Sequence, residues 1–148
     1  MYTVKSIKVF PSMEGHGFNG NLYKDDQKIA SFHNEGRGGS THFDWVDDNE
    51  KDLFHKYCQG KTWEFDGKQL SKSMDIEIED MVLEKENDMK LKRESKRKTF
   101  FRPDSQKETF QKGEWLSLNV HFSDDVKKYL TDEYGHCIIL NEQLEKAV

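Results

Sequence analysis

The stretch that decides the fold is residues 21–33, which read NLYKDDQKIASFH. Two short runs in it, residues 21–24 and 28–33, contain the aromatic and β-branched residues that favour strands. Between them lies Asp25-Asp26-Gln27, and polar segments of this kind are typical of tight turns. The stretch therefore predicts a β-hairpin.

Strand signals extend this hairpin on both sides. Residues 3–10 alternate apolar and polar side chains, which predicts a half-buried strand, and residues 41–45 predict a further short strand. The glycine-rich residues 15–21 and 36–40 are predicted to be loops, because glycine adopts backbone conformations that other residues avoid. We therefore expect an N-terminal antiparallel β-meander of about four strands.

Beyond residue 46 the apolar period changes to that of helices. Capping residues and closing glycines place the remaining elements. These are a helix from Asp47 or Asp48 to Gly60, a helix from Asp75 to about Ser95, a hairpin of residues 98–102 and 114–120, a helix from Ser123 to Gly135, and a terminal helix or mobile tail over residues 135–148. The sequence predicts a single α+β domain over residues 1–148, with an N-terminal antiparallel β-meander, two central helices, and a C-terminal β-hairpin and helix.

Composition narrows the class of protein. The 148 residues are 34% hydrophobic, but 12% are aromatic, which favours a folded domain over a disordered chain. No long apolar run and no apolar leader are present, which argues against a membrane span and a signal peptide. The two cysteines are too few for a disulfide framework. These features predict a cytoplasmic protein, and the net charge of −5 argues against a general nucleic-acid binder.

Positive charge is concentrated in residues 90–102, which read KLKRESKRKTFFR and carry a net charge of +6, leaving −11 for the other residues. Basic side chains interleaved with aromatic ones suit phosphate pairing and base stacking. The candidate ligand-binding residues here are Lys96, Arg97, Lys98, Phe100 and Arg102. A second interpretation stays open, in which the cations are a solvated helix end and Phe100 packs inward.

Two glycine-rich segments are further candidates for anion binding. Residues 15–20 match the letters G-x-G-x-x-G, but a strand signal follows where a dinucleotide site needs a helix. Successive backbone N–H groups in such a segment can still form an anion-binding nest. The candidate residues are Phe18 and Asn19 in this segment and Arg37, Gly38 and Gly39 in the second.

Catalytic and metal-binding patterns are weak in this sequence. The six histidines and two cysteines lack the spacing of metal ligands, and no nucleophile motif is present. The adjacent carboxylate pairs fall where turns and helix caps use them. We therefore expect no catalytic residue, no metal and no cofactor, and a protein that is not an enzyme.

A pattern shared with a known family extends along most of the chain. It is carried by residues 7–10, 15–19, 22–23, 36–39, 92–102, 113–115, 126–130 and 134–135. With this pattern the whole chain resembles a family of small accessory proteins encoded by tailed phages and prophages. No motif of the family is tied to a known activity, and Pro103-Asp104 departs from the longer basic and apolar continuation found there. The resemblance implies expression in a bacterial cytoplasm and a role against host defence, by binding a defence protein or by sequestering a nucleotide signal.

Three functions follow as expectations. The first is non-enzymatic capture of a phosphorylated nucleotide signal at the candidate residues, in a homo-oligomer that completes the pocket. The second is inhibition of a host defence protein through an acidic face. The third is nucleic-acid binding through residues 90–102. The acidic face would comprise Asp44, Asp47, Asp48, Glu77, Glu79 and Asp80.

Overall fold

The computed structural model describes residues 1–13 and 15–146. The predicted α+β class is confirmed, with a four-stranded antiparallel meander at the N-terminus. Contacts divide the chain into two compact units, Met1–Glu86 and Asn87–Val148. We describe each unit by itself, and the organisation of residues 1–148 as one domain stays a prediction.

The elements of the first unit are β1 (Tyr2–Ser12), β2 (Gly15–Lys24), β3 (Gln27–Asn34), β4 (His42–Trp45), α1 (Asp48–Gln59), β5 (Thr62–Phe65), β6 (Lys68–Ser71) and the start of α2 (Met74–Glu94). The second unit contains the end of α2, β7 (Thr99–Pro103), a 3-10 helix (Asp104–Thr109), β8 (Leu116–Leu118), α3 (Asp124–Tyr134), β9 (Cys137–Ile139) and α4 (Leu140–Lys146).

The first unit is built on the sheet β1-β2-β3-β4, in which each strand pairs antiparallel with the next. The predicted hairpin is present, and Asp25 and Asp26 at its turn have φ values of 48° and 70°. Two consecutive positive φ values are the geometry of the tight turns that match strand twist. The turn therefore fixes the register of β2 against β3.

The prediction of a loop over residues 15–21 is wrong, because this segment is the first two thirds of β2. Its glycines obscure the strand pattern, but packing requires two of them, Gly17 and Gly20. A Cβ on Gly17 would overlap the Phe10 ring, and a Cβ on Gly20 would lie 2.8 Å from the Phe32 ring. Glycine is used in this strand where another side chain crosses close to the backbone.

One face of the sheet packs on two helices. The Asp47 carboxylate accepts the Asn49 backbone N–H at 2.8 Å and caps α1, and Gly60 ends this helix, as predicted. The core that results is apolar throughout, which is the main source of its stability. Its buried members are Val4, Phe18, Leu22, Ile29, Ala30, Phe32, Phe54, Cys58, Ile78 and Val82.

The second unit contains a three-stranded sheet in the order β8-β7-β9. The predicted pairing of β7 with β8 is present, whereas β9 was not predicted. Phe101, Leu130 and Ile139 form its buried cluster. Residues 147–148 of the predicted terminal helix or tail lie outside the described residues.

None of the helices over the described ranges combines the length and the apolar character that crossing a lipid bilayer requires.

Candidate functional site

A polar row crosses the sheet of the first unit on the face opposite the buried core. Lys8 pairs with Asn19, Asn19 with His33, and His33 with His42. Directly paired residues in antiparallel strands project from the same face of a sheet. The register therefore places an amine, an amide and two imidazoles side by side, and Lys8, His33 and His42 are exposed.

The loop of residues 35–40 closes one end of this row, and Asn34 holds the loop in shape. Its Oδ1 accepts the Gly36 backbone N–H at 2.8 Å. Its Nδ2 donates to the Gly39 carbonyl at 3.3 Å and to the Thr41 hydroxyl at 3.0 Å. One side chain thus fixes both ends of the glycine segment.

Gly36 and Gly38 have φ values of 74° and 81°, in the left-handed region that glycine adopts readily. Among the described residues, no protein acceptor hydrogen-bonds with the N–H groups of Arg37, Gly38 or Gly39. Such groups are the donors of an anion-binding nest. The Arg37 side chain is exposed and forms no ion pair with any described residue.

A depression of about 300 Å³ lies where the loop meets the row. Its lining offers donors from the Arg37 guanidinium, the two imidazoles and the Ser40 hydroxyl. The Glu35 carboxylate lies 4.0 Å from Nε2 of His33, so an incoming anion competes with it for that ring. The lining residues are His33, Asn34, Glu35, Arg37, Gly39, Ser40 and His42. The arrangement gathers donors of the kind that suit an oxyanion in one small, open depression.

The structure places the candidate residues of the first unit in different surroundings. Arg37 and Gly39 line this depression, Gly38 is in the same loop, and Asn19 is in the polar row. As a residue of this depression Phe18 is a correction, because it is 5% exposed and its ring packs against Phe32 in the core. With Gly38 and Gly39 it instead lines a separate depression of about 380 Å³. It cannot offer its ring to a ligand on the opposite face of the sheet.

The basic segment belongs to the second unit, and much of it is already engaged there. The Arg102 guanidinium stacks on the Trp115 ring, with Cζ 3.8 Å from the ring centroid, and its Nε donates to the Glu114 carbonyl at 2.6 Å. Arg102 thus has partners that an anion would have to displace. Phe100 is a further correction, because it is 5% exposed and cannot stack on a base at the surface.

The other cations of this segment lie near one acid. Arg97 and Lys98 are 3.8 Å and 3.9 Å from the Glu94 carboxylate, while Lys96 is exposed. The buried Asn141 orders the chain here, since its Nδ2 donates to the Lys98 carbonyl at 2.9 Å. The segment thus resembles the solvated helix end that the second interpretation described, with the Phe100 ring turned inward.

Six residues of the site escaped the sequence analysis, namely Lys8, His33, Asn34, Glu35, Ser40 and His42. His33 and His42 are nine positions apart, and only the strand register makes them neighbours. The signal that could have found them is the alternation of β3 and β4 counted outward from the Asp25-Asp26 turn.

The proposed acidic face loses part of its charge to contacts within the unit. Glu77 is 3% exposed, and its carboxylate lies 3.2 Å from the Lys61 amine and 3.9 Å from the Lys72 amine. Asp80 binds Lys72 at 2.8 Å. Glu77 was therefore wrongly placed on this surface, because it is a buried member of an ion-pair network.

Over the described ranges, no set of three or more His, Cys, Asp or Glu side chains is arranged to hold a metal ion. Burial, with a smaller contribution from the Glu77 carboxylate, raises the pKa of the Cys58 thiol to about 12. Burial and Asp104 also raise the pKa of Cys137. Both thiols therefore keep their protons at neutral pH, whereas the reactive form is the thiolate.

Comparison with protein-family models, curated proteins and solved structures gave no match. The resemblance to phage accessory proteins therefore stays a prediction.

Proposed function

We propose that the protein is a non-enzymatic binding protein that captures a small phosphorylated molecule at the end of the polar row. The observation that carries this proposal is the loop of residues 35–40, in which Arg37 and N–H groups without an acceptor among the described residues adjoin His33 and His42. Arg37 supplies the fixed positive charge, because a guanidinium pairs with two oxygens of a phosphate. The imidazoles and backbone amides then supply further hydrogen-bond donors.

The preference for capture over catalysis rests on the chemistry of the lining. Catalysis of phosphoryl or acyl transfer needs an activated nucleophile or a general base held by a partner. The depression offers exposed donors, two imidazoles and one carboxylate, Glu35. Glu35 lies 4.0 Å from Nε2 of His33, which is longer than the hydrogen bond that holds a general base by its partner. Such a set is suited to binding an anion and returning it unchanged.

In the setting that the phage resemblance implies, capture would remove a signalling molecule of host immunity from the bacterial cytoplasm. The phosphate is the common chemical feature of such signals. A protein present in excess over its ligand can lower the free concentration without turnover. This biological role belongs to the proposal and is tested separately from binding.

The test is to incubate the purified protein with a mixture of nucleotides, remove the unbound material, denature the protein and analyse what is released. We expect intact ligand, retained by the wild type and lost in Arg37→Glu. The matched control is Arg97→Glu, which reverses an exposed arginine in the basic segment of the second unit. An altered product would contradict capture, and loss in Arg97→Glu alone would return the site to residues 96–102.

A further inference from the structure

Phe10 lies beside the proposed anion site, on the same face of the sheet. It is two positions from Lys8 along β1, and alternate residues of a strand project from one face. Its ring centroid is 6.3 Å from that of His33, at an interplanar angle of 27°. The Phe10 ring thus lies next to His33, one of the donors in the polar row.

The Phe10 ring can lie against the backbone because the residue opposite it is a glycine. It faces Gly17 across the β1–β2 pair, and a Cβ on Gly17 would overlap the ring. The ring therefore lies directly on the strand backbone, and it keeps part of its surface open to solvent. A ring fixed in this way loses little conformational freedom when a planar ligand stacks on it.

The size of the depression separates two kinds of ligand. At about 300 Å³ it is at the lower limit for small-molecule sites, so a ligand larger than a sugar phosphate extends beyond its lining. Phe10 is not part of that lining but adjoins it through His33. A planar group attached to the phosphate would meet this ring on leaving the depression.

We propose that the site takes a nucleoside phosphate, with the phosphate held by the loop of residues 35–40 and the base stacked on Phe10. This inference rests on the proposed function, since it assumes the anion site. Stacking accepts any base, because every base has a π face. In this proposal Phe10 selects phosphorylated ligands that carry a base, and Arg37 anchors the phosphate.

The experiment measures, by calorimetry at one ionic strength, the dissociation constants of inorganic phosphate, ribose 5-phosphate and adenosine monophosphate for the full chain. We expect the nucleotide to bind about 10-fold more tightly than ribose 5-phosphate, the magnitude of one stacked base. In Phe10→Leu this preference disappears while the affinity for ribose 5-phosphate stays within about twofold. Phe65→Leu, at a ring that is 60% exposed elsewhere in the unit, serves as the matched control and leaves all three constants unchanged.

The outcomes distinguish this inference from the proposed function. Equal binding of the nucleotide and ribose 5-phosphate by the wild type overturns the stacking role and leaves the anion site standing, even if Phe10→Leu fails to fold. A preference that survives in a folded Phe10→Leu overturns it as well. Binding of none of the three probes overturns the proposed function and this inference together.

Discussion

The Asn34 side chain holds Gly36 in the loop, with its Oδ1 accepting the Gly36 backbone N–H at 2.8 Å. The same amide donates to Gly39 and to Thr41, so one residue at the end of β3 determines the path of the glycine segment. Without these hydrogen bonds the glycine segment could adopt many backbone conformations, because glycine is less restricted than other residues. The shape of the proposed anion site therefore depends on Asn34, a lining residue whose amide is occupied by the loop.

Asn34→Ala is expected to weaken phosphate binding at least 10-fold while lowering the free energy of unfolding by about 1–2 kcal/mol, the net value of the hydrogen bonds lost. Calorimetry and urea unfolding measure the two effects. Asn21→Ala is the matched control, because it removes an amide bonded to Ser31 in the same sheet and should leave binding unchanged. Equal binding by Asn34→Ala and the wild type would show that the loop does not need this restraint.

Gly36 and Gly39 are expected to respond very differently to the same substitution. Gly36 has a φ of 74°, and a Cβ there would overlap the Ser12 hydroxyl and lie 2.6 Å from the Gly17 backbone nitrogen. Strain and overlap together predict a loss of about 3 kcal/mol in Gly36→Ala. Gly39 has open space around it, so Gly39→Ala should change stability by less than about 0.5 kcal/mol. Thermal unfolding of the two variants checks this, and similar melting temperatures would contradict it.

Local signals predicted the elements that depend on local chemistry. The Asp25-Asp26 turn, the Asp47 cap and the Ser123 cap are all where the sequence placed them. The misreading of residues 15–21 has a different origin. Gly17 and Gly20 of β2 leave room for the rings of Phe10 and Phe32, which come from the neighbouring strands. The sequence around residue 17 does not show which rings will pack there.

The same distinction applies to the candidate site. Arg37, Gly38 and Gly39 were found from composition, whereas His33 and His42 needed the strand register. The candidates in the basic segment were chosen by charge, and charge does not reveal that Arg102 already stacks on Trp115. Net charge of a segment thus identifies cations but not their partners.

The stability of the fold should depend on the two lysines that pair with the buried Glu77 carboxylate. Lys61 lies 3.2 Å from it and Lys72 3.9 Å, and the carboxylate is nearly inaccessible to water. Lys61→Met with Lys72→Met leaves a buried charge without a counter-charge, so we expect a loss of about 3–5 kcal/mol. Adding Glu77→Gln removes that charge and should recover most of the loss. Urea unfolding of the double and triple variants measures both steps, and failure of Glu77→Gln to rescue would mean that the lysines act through packing.

Arg102 is expected to stabilise its unit rather than bind a ligand. Arg102→Ala removes the contact with the Trp115 ring and the hydrogen bond to Glu114, which together predict a loss of about 1–2 kcal/mol. Arg97→Ala should be near neutral, since Arg97 is 72% exposed and 3.8 Å from Glu94. Chemical unfolding followed by tryptophan emission compares the two variants. Equal stability of both would contradict a structural role for Arg102.

The raised pKa of the Cys58 thiol predicts that the protein loses stability in alkaline solution. Its pKa is about 12 in the folded protein, mainly because the thiol is buried, against an ordinary value of 9.0. Between these values the unfolded chain binds fewer protons than the folded one, so the stabilisation is complete below pH 9 and falls as the pH rises towards 12. Cys58→Ala removes this titration and keeps the other ionisable groups as an internal reference. The difference in unfolding free energy between wild type and variant should therefore shrink by about 2 kcal/mol between pH 8 and pH 10.5, as measured by urea unfolding. A constant difference across that range would mean that the Cys58 thiol ionises as readily in the folded protein as in the unfolded chain.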